Sequence, residues 1–376
     1  MAEQEIKKGL AGVVVDYTAV SKVNPDTNSL LYRGYPVQEL AANCSFEEVA
    51  YLLWNGELPT PEQLAEFTAR ERAGRAIDPV VKQVVDALPT TSHPMDVCRT
   101  AASVMGARHP LAEDSSREAN MAKAVDLFAA MPAIVAYDQR RRHGQDVVAP
   151  RDDLGYSANF LWMAFGEEPV QEVVEAFNVS MILYAEHSFN ASTFTARVIC
   201  SSGADVAAAV VGGMGALSGP LHGGAPSRAL DLLDAIGTAE NARPYLVDAV
   251  TKGEKIMGFG HRVYKTDDPR STFLRGVAER IGAEKIDFAK AVERTVVEVL
   301  AELKPGRDLY ANVEFYAGVV MDHCGLPREL FTPTFASSRV IGWCANILEQ
   351  AADNRIIRPS ARYVGPPPPQ PVPDLD

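Results

Sequence analysis

The β-strand signals of this chain lie in its N-terminal segment, and the rest of the sequence is helical in character. Two stretches there, LAGVVVDYTAVSKV and SLLYRGYPV, are rich in β-branched and aromatic residues, with the turn-forming NPDTN at 24–28 between them. After them, helix-forming stretches alternate with proline and glycine. We therefore predict a mostly α-helical fold with a short N-terminal β-hairpin.

Two helix starts can be located from their capping residues. Ser45 and Glu48 form a capping-box pattern before the apolar run VAYLLW. Thr60 and Gln63 form a second one, and Pro61 suits the first helical position, where no backbone donor is needed. These patterns predict helices that begin directly after Ser45 and Thr60.

Other segments predict loops or helices from composition. The polar stretches 109–120 and 143–155 predict loops, and the run from Val170 to Ser202 has neither proline nor glycine, which favours one long helix or two abutting ones. The small residues of ADVAAAVVGGMGAL allow helices to approach closely, inside the chain or across a subunit interface. The tail GPPPPQPVPDLD predicts an extended segment.

Length and charge limit the class of protein. A chain of 376 residues favours two domains. The net charge of −13 argues against a general nucleic-acid or anionic-membrane binder, since both need a basic face, although local cations can still hold one small anion. The five cysteines are scattered without a C-x-x-C pair, which favours buried thiols over disulfides or a zinc site.

The sequence also predicts a cytoplasmic location. The N-terminus, MAEQEIKKGL, lacks the apolar region of a signal peptide. The most apolar stretch, from Val206 to Leu217, is shorter than the roughly 20 residues that a membrane span needs.

Three of the seven histidines lie in unusual contexts. His187 and Asn190 are three residues apart, which would place them on one helix face. His222 lies in SGPLHGGAPSR, and His261 lies in MGFGHRVYKTDDPRS with Lys265 and Arg270 close behind. Glycines beside a polar side chain let the backbone approach a ligand and free its N–H groups to donate. We therefore predict an active site built on His222 and His261, while a core or turn role for each histidine remains the plainer alternative.

Acidic and basic candidates occur further along the chain. Glu314 in YANVEFYAG lies between apolar and aromatic residues, an environment that raises a carboxyl pKa and suits it to proton transfer. Arg270, Arg339 and Arg358 are candidates for holding a dicarboxylate, because arginine pairs with carboxylates in a bidentate manner. Taken alone, each of these residues is more often a surface residue than a site residue.

Other chemistries are less well supported. There is no H-E-x-x-H pattern and no closely spaced ligand pair among the three histidines, so no metal site is predicted. No G-x-S-x-G occurs, which argues against a serine nucleophile. The basic run Arg140–Arg142 precedes Gly144 and is interpreted as a solvated helix end.

The combination of motifs resembles the short form of the citrate synthase family, which includes 2-methylcitrate synthases. GPLHGGA, MGFGHRVYK with DPR, and NVEFYAG occur in that order, and the likeness runs from GLAGVVVDYTAVSK to IIRPSARYVGP. The resemblance implies a helical homodimer that condenses acetyl-CoA with oxaloacetate and hydrolyses the thioester, without metal or other cofactor. It implies a discontinuous large domain (1–215 and 318–365), a small domain (216–317) that closes over substrate, and a proline-rich tail (366–376).

The resemblance also implies a role for each candidate residue. Glu314 would remove a methyl proton from acetyl-CoA, His222 would stabilise the enolate, and His261 would polarise the oxaloacetate carbonyl. The residues implied for oxaloacetate are His187, Asn190, Arg270, Arg339 and, from the other subunit, Arg358. Those implied for CoA are Gly258, Phe259, Gly260 and Lys265.

Three positions depart from the family pattern. Glu314 replaces the usual aspartate, and since misplacement by about 1 Å can cost roughly 100-fold in rate, either the backbone has adjusted or activity is compromised. Some short-form members of the family share this glutamate together with the HGGAPSR motif. This favours an adjusted backbone over compromised activity. Pro226 removes a backbone donor where HGGAN is commoner. Asn346 replaces a histidine that is frequent in GWxAH.

Three functions therefore stay open at the level of sequence. The first is citrate synthase. The second is 2-methylcitrate synthase, which uses propionyl-CoA, and one extra methylene changes pocket discrimination by only about 1–3 kcal/mol. The third, motivated by Glu314 and Pro226, is a non-catalytic helical dimer that retains ligand binding.

Overall fold

A computed structural model describes most of the chain with side chains. The described residues are 6–10, 12–24, 26–223, 225–260, 264, 268–306, 309–367 and 369–373, without the side chains of Ala225 and Pro226. His261 and Lys265, predicted as site residues, lie outside this part of the chain.

The predicted N-terminal hairpin is present, but it is shorter than the strand signals. Strand β1 (Ser21–Asn24) pairs antiparallel with β2 (Ser29–Tyr32), which pairs with the two-residue β3 (Tyr35–Pro36). The prediction that LAGVVVDYTAV contributes to the first strand is wrong. Val14 and Tyr17 are almost fully exposed there and pair with no strand in the described residues. β-branched and aromatic residues favour a strand only where a neighbouring strand and a packing surface are available, and this segment has no neighbouring strand among the described residues.

The first six described α-helices follow this hairpin in sequence and begin the core. They are α1 (Val37–Asn43), α2 (Phe46–Asn55), α3 (Pro61–Ala73), α4 (Pro79–Asp86), α5 (Pro94–Arg108) and α6 (Arg117–Arg142).

Ten more α-helices complete the described chain, and short 3₁₀ helices lie at Lys8–Leu10 and Arg328–Leu330. The ten are α7 (Tyr156–Phe165), α8 (Gln171–Tyr184), α9 (Ala191–Ser201), α10 (Val206–Leu217), α11 (Ala225–Ile236), α12 (Ala239–Lys252), α13 (Pro269–Arg280), α14 (Ile286–Leu303), α15 (Val313–His323) and α16 (Phe331–Ala352). The prediction of a mostly helical fold is confirmed.

Local signals located several boundaries well. Both capping boxes form, with Ser45 accepting from the Glu48 N–H and Thr60 accepting from the Gln63 N–H. The segment 143–155 is a loop, whereas the loop predicted at 109–120 ends earlier because α6 begins at Arg117. The tail residues described after Gly365 are exposed and lie in neither helix nor strand.

The chain between Val170 and Ser202 forms two helices joined by a connection at residues 185–190, not one helix or two abutting ones. His187 therefore does not share a helix face with Asn190, and that prediction is wrong. Ser188 adopts a positive φ of 52°, and Asn190 is the N-cap of α9, where its Oδ1 accepts from the Thr193 N–H at 3.1 Å. An N-cap residue needs an extended backbone, so the helix must stop before it.

Helix α16 lies at the centre of the packing. It contacts α2, α6, α8, α9 and α10, and nearly all of its residues are buried. Glycines allow neighbouring helices to approach it and each other. A methyl group at Gly213 would lie 3.0 Å from the Trp343 ring, and one at Gly106 would overlap Ala207. The predicted close approach of helices around ADVAAAVVGGMGAL is thus confirmed within the chain.

One described helix, α6, is long and apolar enough to cross a membrane by length and composition. However, 89% of its apolar window is buried inside the protein, which is the pattern of a core helix. Its last turn also differs from expectation. Arg141 and Arg142 are not solvated but largely buried, where they pair with Asp138 and donate to the carbonyl oxygens of Leu88, Thr90 and Ser92.

We predict that Gly342→Ala destabilises the protein by about 1–3 kcal/mol or more, the usual cost of overpacking. A β-carbon at Gly342 would overlap the Ala185 carbonyl oxygen, which belongs to the backbone and cannot rotate away. The matched control is Gly276→Ala in α13, where a β-carbon meets nothing within 4 Å. That change should leave stability equal or raise it by about 0.5–1 kcal/mol. Thermal unfolding compares the two variants directly. Equal unfolding midpoints would contradict the close contact between Gly342 and the Ala185 carbonyl oxygen.

Candidate active site

His222 lies in the turn that follows α10, and its side chain points into the protein toward the N-terminus of α9. Its Nε2 lies 3.3 Å from the backbone nitrogen of Ser192 and 2.8 Å from the Ser192 Oγ. The same Oγ accepts a hydrogen bond from the Trp343 indole N–H at 3.1 Å. His222 is therefore held by α9 and, through Ser192, by α16.

This arrangement determines where the His222 ring carries its proton. A backbone N–H can only donate, so the contact with the Ser192 nitrogen favours Nε2 of His222 as an acceptor, and the Ser192 hydroxyl can donate to Nε2 or to Asn190 Oδ1. In the neutral ring the proton is then on Nδ1, which remains available as a donor. Burial, and secondarily the charge of Arg339, lowers the pKa of His222 to about 4. The ring is consequently a neutral hydrogen-bond donor at neutral pH.

Arg270 lies in the first turn of α13 and is almost completely buried. Its Nε and Nη2 donate to the two carboxylate oxygens of Asp268 at 3.1 and 2.7 Å. Asp268 in turn is the N-cap of α13 and accepts from the Val313 N–H at 3.3 Å. The planar pairing holds the guanidinium rigidly beside the start of α15.

Arg339 projects from the middle of α16 into the same region. Its Nε donates to the Tyr184 carbonyl oxygen at 2.7 Å, and the guanidinium lies over the Phe335 ring. Its Nη1 is buried and has no hydrogen-bond partner among the described residues; the same holds for the Tyr184 hydroxyl. A buried cationic donor without a partner is costly, so this region favours an anionic ligand that supplies the missing acceptor.

Glu314 lies in the first turn of α15, whose N-cap is Asn312. Burial raises the pKa of its carboxyl, while the charges of Arg270 and Arg339 lower it to a smaller extent. The predicted environment of a carboxyl with a raised pKa is confirmed. Such a group is a stronger base than an ordinary glutamate once it is ionised.

The glycine-rich loop at 258–260 is fastened to the start of α15. The Gly260 N–H donates to the Tyr310 carbonyl oxygen at 2.8 Å, and the Asn312 N–H donates to the Gly258 carbonyl oxygen at 2.9 Å. Gly258 and Gly260 have φ values of 83° and 88°, and a β-carbon at Gly258 would also press on Phe315. Only glycine therefore brings this loop so close to the helix that carries Glu314.

A cavity of about 700 Å³ lies beside the glycine-rich loop. Its lining includes His222, Glu314 and the 258–260 loop. Three cations that the sequence interpretation did not single out, Arg228, Lys255 and Lys304, also line it. The cavity thus combines a neutral donor, a buried carboxyl and local positive charge, although the net charge of the chain is negative.

The remaining predicted residues are placed differently. His187 lies in the connection between α8 and α9, half-buried, with its ring 5.9 Å from the Tyr264 ring. Arg358 lies exposed in the segment after α16 and is not brought to the other arginines within this chain. Pro226 lies in the first turn of α11, where a missing backbone N–H costs little. No cluster of three metal-ligating side chains occurs within the described ranges.

Some residues of the site gave little sequence signal. Ser192 and Trp343 act through hydrogen bonds that depend on the packing of α9 against α16. Asp268 could have been found, because an aspartate before proline at a helix start is a recognisable N-cap. The lining cations lie far apart in sequence and are surface lysines and arginines by any local criterion.

Comparison with known proteins identifies the family. The family model described as citrate synthase, C-terminal domain, matches residues 9–360. A 2-methylcitrate synthase of Mycobacterium tuberculosis is 50% identical over 362 residues, covering 96% of this chain and 91% of that protein. A citrate synthase of Mycolicibacterium smegmatis is also 50% identical, over 367 residues and 96% of both chains.

A solved structure agrees with these matches. It is a citrate synthase from the thermophilic archaeon Thermoplasma acidophilum in a ternary complex with carboxymethyl coenzyme A and oxaloacetate. It is 30% identical to this chain, superposes with a TM-score of 0.91 and covers 99% of both chains. Because sequence and fold agree over nearly the full length, this protein belongs to the citrate synthase family of acyl-transferring enzymes.

Proposed function

We propose that this enzyme condenses acetyl-CoA with oxaloacetate and hydrolyses the resulting thioester to citrate and CoA. The observation that carries the proposal is the cavity that His222 and Glu314 share beside two buried arginines. A neutral donor and a carboxylate base that line the same cavity suit the removal of a proton next to a thioester carbonyl. The proposed reaction needs no metal or other cofactor.

Glu314 begins the proposed reaction. Its ionised carboxylate takes a proton from the methyl group of acetyl-CoA, and the electrons of that C–H bond form the enolate. His222 donates its Nδ1–H to the thioester oxygen, where the negative charge develops. A neutral imidazole suits this task because its Nε2 can accept from the Ser192 N–H while its Nδ1–H donates to the substrate.

The enolate carbon then attacks the keto carbon of oxaloacetate. His261, which lies outside the described residues, is proposed to supply a proton to the keto oxygen as the new bond forms. Arg270 and Arg339 would hold the two carboxylates, and the unpartnered Nη1 of Arg339 supports this role. His187 would contribute a further contact, with Asn190 beside it at the start of α9.

CoA is proposed to bind along the glycine-rich loop. Gly258, Phe259 and Gly260 offer close backbone approach, and Lys265, outside the described residues, follows them in sequence. Arg228, Lys255 and Lys304 add positive charge for the phosphates of CoA. The acidic total charge of the chain does not prevent this, because charge acts mainly over about a Debye length of 10 Å.

We further infer a cytoplasmic homodimer with two domains per chain. The segment 216–317 would close over the substrates and exclude water before the enolate forms. The segments before β1 and after α16 expose large apolar side chains, among them Val14, Tyr17 and Tyr363. Such residues are suited to cover a second copy, which would bring the exposed Arg358 to the partner's arginine pair.

A second candidate substrate is propionyl-CoA. It is favoured by the equal identity of the chain to a 2-methylcitrate synthase and to a citrate synthase. One additional methylene is worth only about 1–3 kcal/mol in a pocket. The two reactions use the same base and the same donor, so His222 and Glu314 serve either substrate.

We predict that Glu314→Gln lowers kcat by at least about 100-fold, the usual contribution of a positioned base. Binding of oxaloacetate, followed by calorimetry, should stay close to that of the unaltered enzyme. The matched control is Asp322→Asn on the same helix, a partly exposed carboxylate paired with Lys285, which should keep its turnover. If Glu314→Gln released CoA at the normal rate, Glu314 could not be the base.

The pH dependence of kcat/KM should reveal the protonation of Glu314. At saturating oxaloacetate, kcat/KM for the acyl-CoA should fall on acidification as Glu314 takes up a proton. Since burial raises the pKa of that carboxyl, the midpoint should lie above about 4.3, the ordinary value for glutamate. His222, with a pKa of about 4, is mostly neutral above about pH 5, so a loss of activity above that pH reports Glu314 and not His222. A midpoint below the ordinary value would contradict the environment described for Glu314.

Substrate choice is decided by comparing kcat/KM for acetyl-CoA and propionyl-CoA on the purified enzyme. We expect a preference for acetyl-CoA, within the range of about 10–200-fold that one methylene allows. CoA release without oxaloacetate serves as the blank. A preference for propionyl-CoA would instead establish the second candidate, and no release with either substrate would overturn both.

A further inference from the structure

Glu186 is a buried carboxylate next to the proposed oxaloacetate site that the reaction itself does not use. It lies in the connection between α8 and α9, directly before His187, and its side chain is completely buried. Its Oε1 accepts from the Ser21 hydroxyl at 3.0 Å, and its Oε2 accepts from the Asn346 side-chain amide at 3.1 Å. Both donors are neutral groups.

No cation forms an ion pair with Glu186 within the part of the chain that the structure describes. Arg339 on α16 and Arg33 after β2 act on it through their charges without contact. The Tyr32 hydroxyl faces the backbone of Glu186, and accepts from its N–H at 3.1 Å. The carboxylate is therefore solvated by fixed neutral dipoles, and its Oε2 lies against Gly342, about one turn along α16 from Arg339 with its unpartnered Nη1.

Asn346 is held so that it presents its donor to Glu186. Its Oδ1 accepts from Arg197 at 3.3 Å, and its Nδ2 also donates to the Gly342 carbonyl oxygen at 2.9 Å. The charge of Arg197 is matched by Glu349 and Asp16 at 2.8 and 3.1 Å. The asparagine at this position, unexplained from sequence, thus leaves Glu186 without a charged partner.

We propose that Glu186 takes up a proton when a dicarboxylate binds at Arg339, so that the affinity for oxaloacetate depends on the protonation of this residue. The proposal rests on the proposed function, which places the dicarboxylate at Arg339. An ionised Glu186 competes with the ligand for the charge of Arg339 and repels the bound carboxylate. Protonation removes both effects.

The direction of the effect follows from linkage. Burial raises the pKa of Glu186 to about 7, although the charge of Arg339 and the bonds from Ser21 and Asn346 oppose this rise. A bound dianion raises the pKa of Glu186 further, because it favours the uncharged form. The complex then holds more protons than the free enzyme, so binding tightens as pH falls through neutrality and weakens as pH rises.

The test is calorimetric binding of oxaloacetate to the intact enzyme without acyl-CoA, from about pH 5.5 to about pH 8.5 in buffers of different ionisation enthalpy. For the unaltered enzyme we expect the Kd to rise about tenfold across this range, which corresponds to a pKa change of about one unit. Binding near pH 7 should take up protons.

The key variant is Glu186→Gln, which keeps the shape of the carboxyl and resembles its protonated form. It should bind oxaloacetate about tenfold more tightly than the unaltered enzyme at the alkaline end, and show no excess proton uptake. A merely structural role predicts the opposite, a loss of affinity. His187 and His261 remain in both proteins, so the difference between them isolates Glu186.

Two further variants complete the design. Ser21→Ala removes a donor to the ionised carboxylate, which should move the midpoint of the Kd change to higher pH. The control Glu47→Gln alters another buried carboxylate, bonded to the Tyr156 N–H in a different part of the core, and should keep the original pH profile.

The outcomes separate the two proposals. A pH-independent Kd of the unaltered enzyme, or an unchanged pH profile or weaker binding at every pH in Glu186→Gln, would overturn the role of Glu186 and leave the proposed reaction intact. Failure of the unaltered enzyme to bind oxaloacetate at any pH would overturn the proposed function itself.

Discussion

The packing of one face of α16 against the connection between α8 and α9 is the constraint on which the site depends. Arg339, Trp343 and Asn346 are spaced four and three residues apart and so project from the same side of the helix. They reach the anion site, Ser192 and Glu186 respectively. Gly342 lies among them, where any side chain would collide with the Ala185 carbonyl oxygen. A single close helix contact therefore orients three different parts of the site.

The buried charged residues of this region differ in whether they have an ion-pair partner. Arg270 is matched completely by Asp268, so its guanidinium can be desolvated at little cost. Arg339 has only a carbonyl partner and Glu186 has only neutral donors, so neither charge has an ion-pair partner among the described residues. The proposed response of Glu186 to a bound dicarboxylate follows from this arrangement.

His222 illustrates how a fixed hydrogen bond sets chemistry. The Ser192 backbone N–H cannot change its role, so it favours the tautomer with the proton on Nδ1, the atom proposed to donate to the thioester oxygen. Burial keeps the ring neutral. The environment of Glu314 is different in kind, since desolvation raises its pKa while nearby arginines limit the rise. Opposite demands on donor and base are thus met within one cavity.

Local sequence signals were sufficient where the physics is local. The capping boxes at Ser45 and Thr60, the helical class and the apolar setting of Glu314 were all predictable, because each depends on residues within a turn or two. The strand predicted before Ser21 failed because a strand needs a partner. The helix face assigned to His187 and Asn190 failed because an asparagine before a capable helix serves equally well as its cap.

By itself, the sequence determined the helical class, the family and the residue types available for proton transfer and anion binding. The contacts by which Ser192 and Trp343 hold His222, and the position of Asn346 beside a buried glutamate, follow from the three-dimensional packing. The spacings that create these contacts run from 30 residues between Ser192 and His222 to 160 between Glu186 and Asn346. No local pattern encodes such distances, since they arise when α9 and α16 bury their apolar faces together.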